Sequence, residues 1–270
     1  MAMSDRYVRF RNLHESGCFV MPNPWDAGTA RVLAQLGFPA LATTSSGCAW
    51  SMGHADNHTP LDDTLARLRE IADSVDVPVN ADFEGGFAIR PEDVATNVAR
   101  AVATGVAGLS IEDSTGDSSK PLFEFELAVE RVRAARAAID AGGARVLLTG
   151  RSEGFIVGRP DLTETIRRLT AYAEAGAECL YAPGLGTIAD ITAVVRALAP
   201  RLINVIARPT LTVADLRRAG VRRISVGGSF ARAAWTAFLD AVREVSERGT
   251  FTAIGRATPG AELNAMFRDR

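Results

Sequence analysis

Eight short runs rich in valine, isoleucine and leucine recur along the chain at fairly even intervals. They are "CFVMP" (18–22), "PALATT" (39–44), "VPVNAD" (77–82), "AGLSIE" (107–112), "RVLLTG" (145–150), "ECLYA" (178–182), "LINVIA" (202–207) and "RRISVG" (222–227). Segments such as "WDAGTARVLAQLG", "TPLDDTLARLREIAD", "RPEDVATNVARAVATG" and "DLTETIRRLTAYAEAG" lie between them. These segments carry apolar residues at three- and four-residue spacing, begin near Asp, Thr or Pro, and stop at Gly or Asp, as helices do. Alternation of strand and helix implies parallel strands buried on both faces. Eight such units in about 250 residues predict a (β/α)8 TIM barrel. A doubly wound sheet fits less well, because no GxGxxG turn follows the first run. Residues 4–16 predict an extra helix over the bottom of the barrel. No linker, repeat or low-complexity tract divides residues 1–270, so one barrel domain is expected.

The composition narrows the partners. With 30 basic and 32 acidic residues the formal charge is -2, and no basic block or aromatic ladder suggests a nucleic-acid surface. No apolar run is long enough for a membrane span, and the start lacks the apolar stretch of a signal peptide, so a cytoplasmic protein is expected. Cys18, Cys48 and Cys179 lie far apart without CxxC spacing, which argues against a zinc site or a disulfide framework. Lys120 is the only lysine in the chain and falls in a loop, so a Schiff-base aldolase, which needs a lysine at a strand end, is disfavoured. The expected partner is a small molecule.

In a barrel of this kind the chemistry sits at the carboxyl ends of the strands. Those ends supply Asn23, the run "TTSSG" (43–47), Asn80, Asp82 and Glu84, then Glu112 and Asp113, Arg151 and Glu153, Asn204 and Arg208, and "GGS" (227–229). Neighbouring strands lie about 4.8 Å apart, so Asp82 and Glu112 are placed to share one cation or its waters. Acids after a strand also cap the next helix, and capping is the expectation for Asp113. It does not account for Asp82, since the next helix starts only at Arg90 and Pro91. Thr43–Gly47 is either a polar turn or a set of free backbone N–H groups for a carboxylate. Arg151 needs an anionic partner, either a substrate or Glu153 or Glu112. "SVGGS" is expected to be a tight helix start rather than a phosphate cradle. His14 is expected at the surface, with His54 and His58 flanking Asp56 near the mouth. Trp25, Trp50, Phe83 and Tyr181 are candidate walls or core.

The ordered set "PNPWDAGTARVLAQLGFPALATTSSG", "GHAD", "PVNADFEGGF", "GVAGLSIED", "GRSEGF" and "GVRRISVGGSFARAA" resembles the isocitrate lyase and phosphoenolpyruvate mutase superfamily over nearly the whole chain. The resemblance implies a Mg2+-dependent barrel, with Mn2+ as a substitute, that makes or breaks C–C or P–C bonds beside a 2-oxo carboxylate. It implies that Thr44 and Ser45 hold the substrate carboxylate and that Asp56 lies near the metal's water shell. Asp82 and Glu112 would bind the metal directly or through water, while Arg151 and Asn204 face the substrate. Two departures stand out. The third strand ends Asn80-Ala81-Asp82 where the family has Asp-Ala-Asp, which removes one formal ligand charge; either Glu84, close by, restores it or the site binds Mg2+ more weakly than a typical member. The loop after the fourth strand is "STGDSSKPLFEFE", without the cysteine that serves the family's lyases as proton donor, and it is unlike the mutases' loop as well.

The expected activity is a Mg2+-dependent lyase acting on a small 2-oxo or 2-hydroxy dicarboxylate through an enolate, by C–C cleavage or decarboxylation. The catalytic set is Arg151, Asp56 and Glu112; the substrate-binding set is Thr44, Ser45, Trp25, Asn204 and Arg151; the metal set is Asp82, Glu112, Asp56, Glu84 and Asn80. The alternatives are a phosphonopyruvate-type P–C bond enzyme and a catalytically weakened protein that binds 2-oxo acids. Phe230, Trp235, Phe238, Leu239 and Val242 give the last long helix more apolar surface than one barrel needs. With the resemblance, this implies a homodimer or homotetramer in which that helix is swapped between subunits.

Overall fold

Each of the eight runs forms a strand in the computed structural model, which describes residues 3–268. Helix α1 (Met3–Glu15) precedes β1 (Phe19–Met21), and α2 (Ala27–Gln35) leads to β2 (Leu41–Ala42). A short helix α3 (Ser45–Ser51) and then α4 (Leu61–Asp73) lead to β3 (Val79–Asp82). The alternation continues through α5 (Pro91–Val102), β4 (Gly108–Glu112), α6 (Phe125–Ala141), β5 (Leu147–Arg151), α7 (Leu162–Glu174) and β6 (Cys179–Tyr181). It ends with α8 (Ile188–Leu198), β7 (Leu202–Ile206), α9 (Val213–Arg218) and β8 (Arg223–Ser225), followed by α10 (Ser229–Arg248) and α11 (Gly260–Phe267). The predicted start signals operate as caps. Asp26 and Thr212 form capping boxes on α2 and α9, Asp161 accepts the Glu164 N–H at the start of α7, and Pro91 opens α5.

The strands are all parallel, in the order β1-β8-β7-β6-β5-β4-β3-β2. Between β1 and β2 the ring is spanned by a hydrogen bond from the Ala42 N–H to the Pro22 carbonyl, 3.0 Å. Asn23 reinforces this seam. Its amide donates to the Thr43 carbonyl (2.8 Å), and its side-chain oxygen accepts the Val226 and Gly227 N–H groups (2.8 and 3.0 Å).

Strand periodicity then separates core from site. Val79, Ala81, Leu109, Ile111, Leu148, Leu180, Val205 and Ile224 pack into the apolar cluster. The alternate residues, among them Asn80, Asp82, Ser110, Thr149, Arg151, Tyr181, Asn204 and Arg223, line a cavity inside the barrel. The predicted extra helix is α1, which closes the other end. Phe10 is fully buried against Gly108, the first residue of β4, and Arg6 donates to the carbonyls of Ala72 and Val75. His14 corrects its expected surface position: it is 3% exposed, edge-on to Phe10 and Phe19. Burial, with Arg223 adding to it, pushes its imidazole down to about 3.

Helix α10 leaves the barrel. Beyond Ala231 its side chains are exposed except at Ala241 and Glu244, and the apolar Trp235, Phe238, Leu239, Val242 and Val245 face outward. The chain returns through α11, where the Gln35 amide donates to the Met266 carbonyl and Arg31 lies over the Phe267 ring. No helix of the described residues is long and apolar enough to cross a membrane.

Replacing Asn23 with Ala strands two backbone N–H groups and a carbonyl at the seam, each worth about 1–3 kcal/mol when buried unpaired. Asn23→Ala is expected to lower the unfolding free energy by roughly 3 kcal/mol or more in urea titration, and a loss well under 1 kcal/mol would show that the seam closes without it.

Candidate active site

Three carboxylates converge on one guanidinium at the mouth of the barrel. Arg151 Nη1 lies 3.1 Å from Asp82 Oδ1 and 3.1 Å from Glu112 Oε2, and its Nε donates to Glu153 Oε1 at 2.5 Å. Tyr181 presents its ring face to the same guanidinium, 5.3 Å away. Strand register creates this cluster, because Glu112 pairs with Arg151 and Arg151 with Tyr181 across β4, β5 and β6. Asp82 and Glu112 are both bound to the same guanidinium nitrogen. Both internal partners expected of Arg151, Glu153 and Glu112, are present, and Nη2 alone carries no hydrogen bond to the described protein atoms.

Acid is in excess. Glu84 and Asp56 stand near the cluster, so five carboxylates surround Arg151, with Arg131 near Glu112 from the neighbouring cavity. Burial, then Asp82 and Asp56, pushes the Glu84 carboxyl up to about 8. Burial, then Asp82, raises Asp56, with the Ser45 hydroxyl offsetting part of the rise. Burial raises Glu112 and Glu153 despite Arg151 beside them. Burial is the first cause at all four, and neighbouring carboxylates add to it.

Glu84 takes a left-handed backbone, φ 46°, unusual for a residue other than glycine. The turn is clamped from three sides. The Glu112 N–H donates to the Glu84 carbonyl (3.0 Å), Arg131 Nη2 to the Gly85 carbonyl, and the Asn97 amide to the Gly86 carbonyl (2.9 Å).

A cavity of about 160 Å3 opens beside the cluster, lined by Thr44, Ser45, Asp56, Asn80, Asp82, Arg151 and Asn204 among others. Glu112 lies behind Arg151 and Glu84 beside it, both facing a neighbouring cavity with Arg131. Trp25 does not line the central cavity; it packs on the apolar core, and its carbonyl accepts from Cys48. Of the other candidate walls, Tyr181 lines the cavity, Phe83 is fully buried in the core, and Trp50 flanks a groove with His54 and Trp235. His58 bonds the Asp56 carbonyl at the surface.

"TTSSG" is a helix start rather than an open turn. Thr44 caps α3, and the Ser45 N–H donates to Asp82 Oδ2 (3.0 Å), so Asp82 secures a helix two elements upstream of its own strand. Asp113 is no helix cap. It accepts from the Glu153 N–H (2.7 Å), Arg168 (3.2 Å) and Tyr172 (2.6 Å), binding the fourth strand's end to the fifth and to α7. "GGS" starts α10 as expected. Sequence reasoning passed over Arg223, Thr149 and Ser225, whose even spacing along strands already counted as apolar was the available signal.

Oxygen donors of the kind a hard divalent cation takes are gathered at the mouth, Asp82, Asp56, Glu112 and Glu84, with Asn80 deeper in the barrel. The Asn80 side-chain oxygen is buried without a partner and faces Gly108, where any Cβ would come within 2.6 Å of it. No three His, Cys, Asp or Glu side chains among the described residues form a ready cage. Mg2+ commonly uses one or two carboxylates and completes its shell with water and substrate oxygens, so this donor set fits such an ion.

The sequence profile of phosphoenolpyruvate phosphomutase matches residues 10–246, and the chain belongs to that family, within the isocitrate lyase and phosphoenolpyruvate mutase superfamily. A crystal structure described as a lyase/mutase of Burkholderia cenocepacia J2315 superposes with a TM-score of 0.94 at 43% identity, covering 99% of this chain and 97% of that one. An uncharacterized protein of Mycobacterium tuberculosis is 32% identical over 97% of each chain. The 2-methylisocitrate lyase of Escherichia coli K12 is 31% identical over 73% of this chain and 69% of its own. The protein is an enzyme of this lyase/mutase superfamily.

The raised Glu84 carboxyl makes stability depend on pH. Its contribution is fully present below the ordinary value of 4.5 and is lost as pH rises to about 8. In chelator, the wild type is therefore expected to lose stability across that window and Glu84→Gln to lose less; parallel melting curves from pH 5 to 8 would contradict the assignment.

Proposed function

We propose that the protein is a Mg2+-dependent lyase acting on a small 2-oxo or 2-hydroxy dicarboxylate, by C–C cleavage or decarboxylation through an enolate. The observation that carries this reading is the surplus of oxygen donors around Arg151 beside a small polar cavity. Similarity to an oxaloacetate decarboxylase of Pseudomonas aeruginosa, 29% identical over 94% of this chain, supports the substrate class. Asp82 and Glu112, with Asp56, Glu84 and the Asn80 oxygen, would hold the cation. When bound, the cation would supply a Lewis acid for the substrate's 2-oxo and carboxylate oxygens.

The chain's own groups do the rest. Arg151 orients Asp82 and Glu112 with Nη1 and offers Nη2 to charge that develops on the substrate oxygens. Thr44, Ser45 and Asn204 orient the substrate carboxylate along the wall that they line. Tyr181, its phenol pushed up to about 12 by burial, keeps its proton at Oη inside the cavity. The loop between β4 and α6 carries no thiol, so a chemistry that needs a loop cysteine is disfavoured. A catalytically weakened 2-oxo acid binder is the second reading, favoured by Asn80 in place of an aspartate.

Oxaloacetate, substituted malates, isocitrate analogues and phosphonopyruvate should be assayed with and without EDTA. Turnover that chelation abolishes is expected; turnover indifferent to EDTA removes the metal role, and binding without product on the whole panel selects the second reading. Asn80→Asp is expected to tighten Mn2+ by adding charge at nearly constant volume, and Asp82→Ala to weaken it about tenfold or more. Equal affinities in both variants and the wild type would reduce "NADFEGG" to a polar strand end.

The exposed face of α10 is, in the same reading, where a second copy packs, giving a dimer or tetramer. Its apolar residues flank a groove with Trp50 and His54. Light scattering at micromolar concentration is expected to show a multimer, and a monomeric mass would refute the packing.

A further inference from the structure

Arg223 is the first residue of β8 and points into the barrel, where it forms part of the cavity floor at 2% exposure. Its hydrogen-bond partners are all neutral. Nε donates to Asn204 Oδ1 (2.9 Å) and Nη2 to Thr149 Oγ1 (3.0 Å), while Nη1 lies 3.5 Å from His14 Nε2. The imidazole is an acceptor there for a geometric reason. His14 Nδ1 lies 2.7 Å from the Phe10 carbonyl, which only accepts, so the ring proton sits on Nδ1 and Nε2 presents its lone pair. Among the described residues no carboxylate pairs with Arg223. Arg151 and Arg168, by contrast, are each bonded to aspartate and glutamate.

A guanidinium carries five N–H groups, and three are engaged here, leaving one on each Nη. A buried cation held only by neutral groups is stabilised by any anion that reaches it. The fork is already oriented by three side chains, as bidentate recognition of a carboxylate requires. The cavity is therefore polarised, with Asp82 and Asp56 on its wall and Arg223 at its floor. Arg223 sits two residues below Ser225 on the same strand, about 7 Å deeper. That offset separates a carboxylate at the floor from the reacting end of the same molecule near Asp82.

We infer that Arg223 forms a carboxylate subsite that takes the second carboxylate of a small dicarboxylate substrate, with Asn204, Thr149 and His14 as positioning residues for its guanidinium. The inference rests on the dicarboxylate reading above and explains how a site whose mouth is acidic accepts a doubly charged acid. It assigns Asn204 a different task from direct contact alone, since its side-chain oxygen is committed to Arg223 and its amide donates to Ser225 Oγ (3.1 Å).

The test uses the full chain in EDTA, so that no divalent cation contributes. Succinate, malonate and acetate are titrated by calorimetry against the wild type and Arg223→Met, and Mn2+ is titrated separately against both without chelator. Succinate or malonate should bind the wild type at least tenfold more tightly than acetate, and Arg223→Met should reduce that preference to under twofold while shifting Mn2+ affinity less than twofold. Equal binding of mono- and dicarboxylates by the wild type overturns the subsite, as does a preference that survives in Arg223→Met. Should that variant fail to fold, Arg223→Lys keeps the charge without the planar fork and is expected to lose several-fold of the preference; an unchanged preference overturns the subsite equally. The metal-dependent reading stands or falls on the EDTA-sensitive assay instead, so the two failures are told apart.

Discussion

The guanidinium of Arg151 is shared by Asp82 from β3, Glu112 from β4 and Glu153 from the segment after β5, and the rest of the mouth is arranged around that sharing. Removing it would leave three largely buried carboxylates facing one another, a cost that hydrogen bonds alone do not offset. Through Asp82 the cluster reaches α3, whose first N–H it accepts, and through Glu153 it reaches Asp113, Arg168 and Tyr172. A change of charge at the cavity is thereby felt by four successive strand ends. One arginine is nevertheless too little for the acids gathered there. Burial raises Glu84, Asp56, Glu112 and Glu153, neighbouring carboxylates add to the rise, and the proposed cation would offset it.

The barrel was legible because parallel strands are buried on both faces, so every strand announces itself as an apolar run. Helix starts were legible wherever an Asp, Thr or Pro made the cap, as at Asp26, Pro91 and Asp161. Helix α3 was not, since Ser, Gly and Cys carry no apolar stripe and its N-terminus is secured by Asp82 from a distant strand. Long-range partners of this kind also explain Asp113, which looks like a cap in sequence and acts as a tie between strands. His14 was misplaced because its burial depends on Phe10, Phe19 and Arg223 meeting at the barrel's end, which local sequence does not encode.

The site was legible in its residue types and less so in their neighbours. Asp82, Asp56, Asn80, Thr44, Ser45, Asn204 and Arg151 share one cavity, while Glu112 and Glu84 stand directly behind and beside it. Trp25 was drawn in by its nearness to a strand end, yet its ring faces core rather than cavity. Arg223 was passed over for the opposite reason: a strand read as apolar hides a single inward cation. The inside of this barrel is thus charged at two levels, acid at the mouth and base at the floor, between walls of neutral polar groups.

Protons follow directly from the central claim. Glu84, its carboxyl pushed up to about 8, carries a proton at pH 7 and must release it when a divalent cation takes its oxygens. Calorimetric titration of the chelator-stripped protein with Mg2+ at pH 7, repeated in buffers of different ionisation enthalpy, counts those protons. The account predicts saturable binding of one cation per chain with net release approaching one proton. Binding without proton release, or no saturable binding, would contradict it.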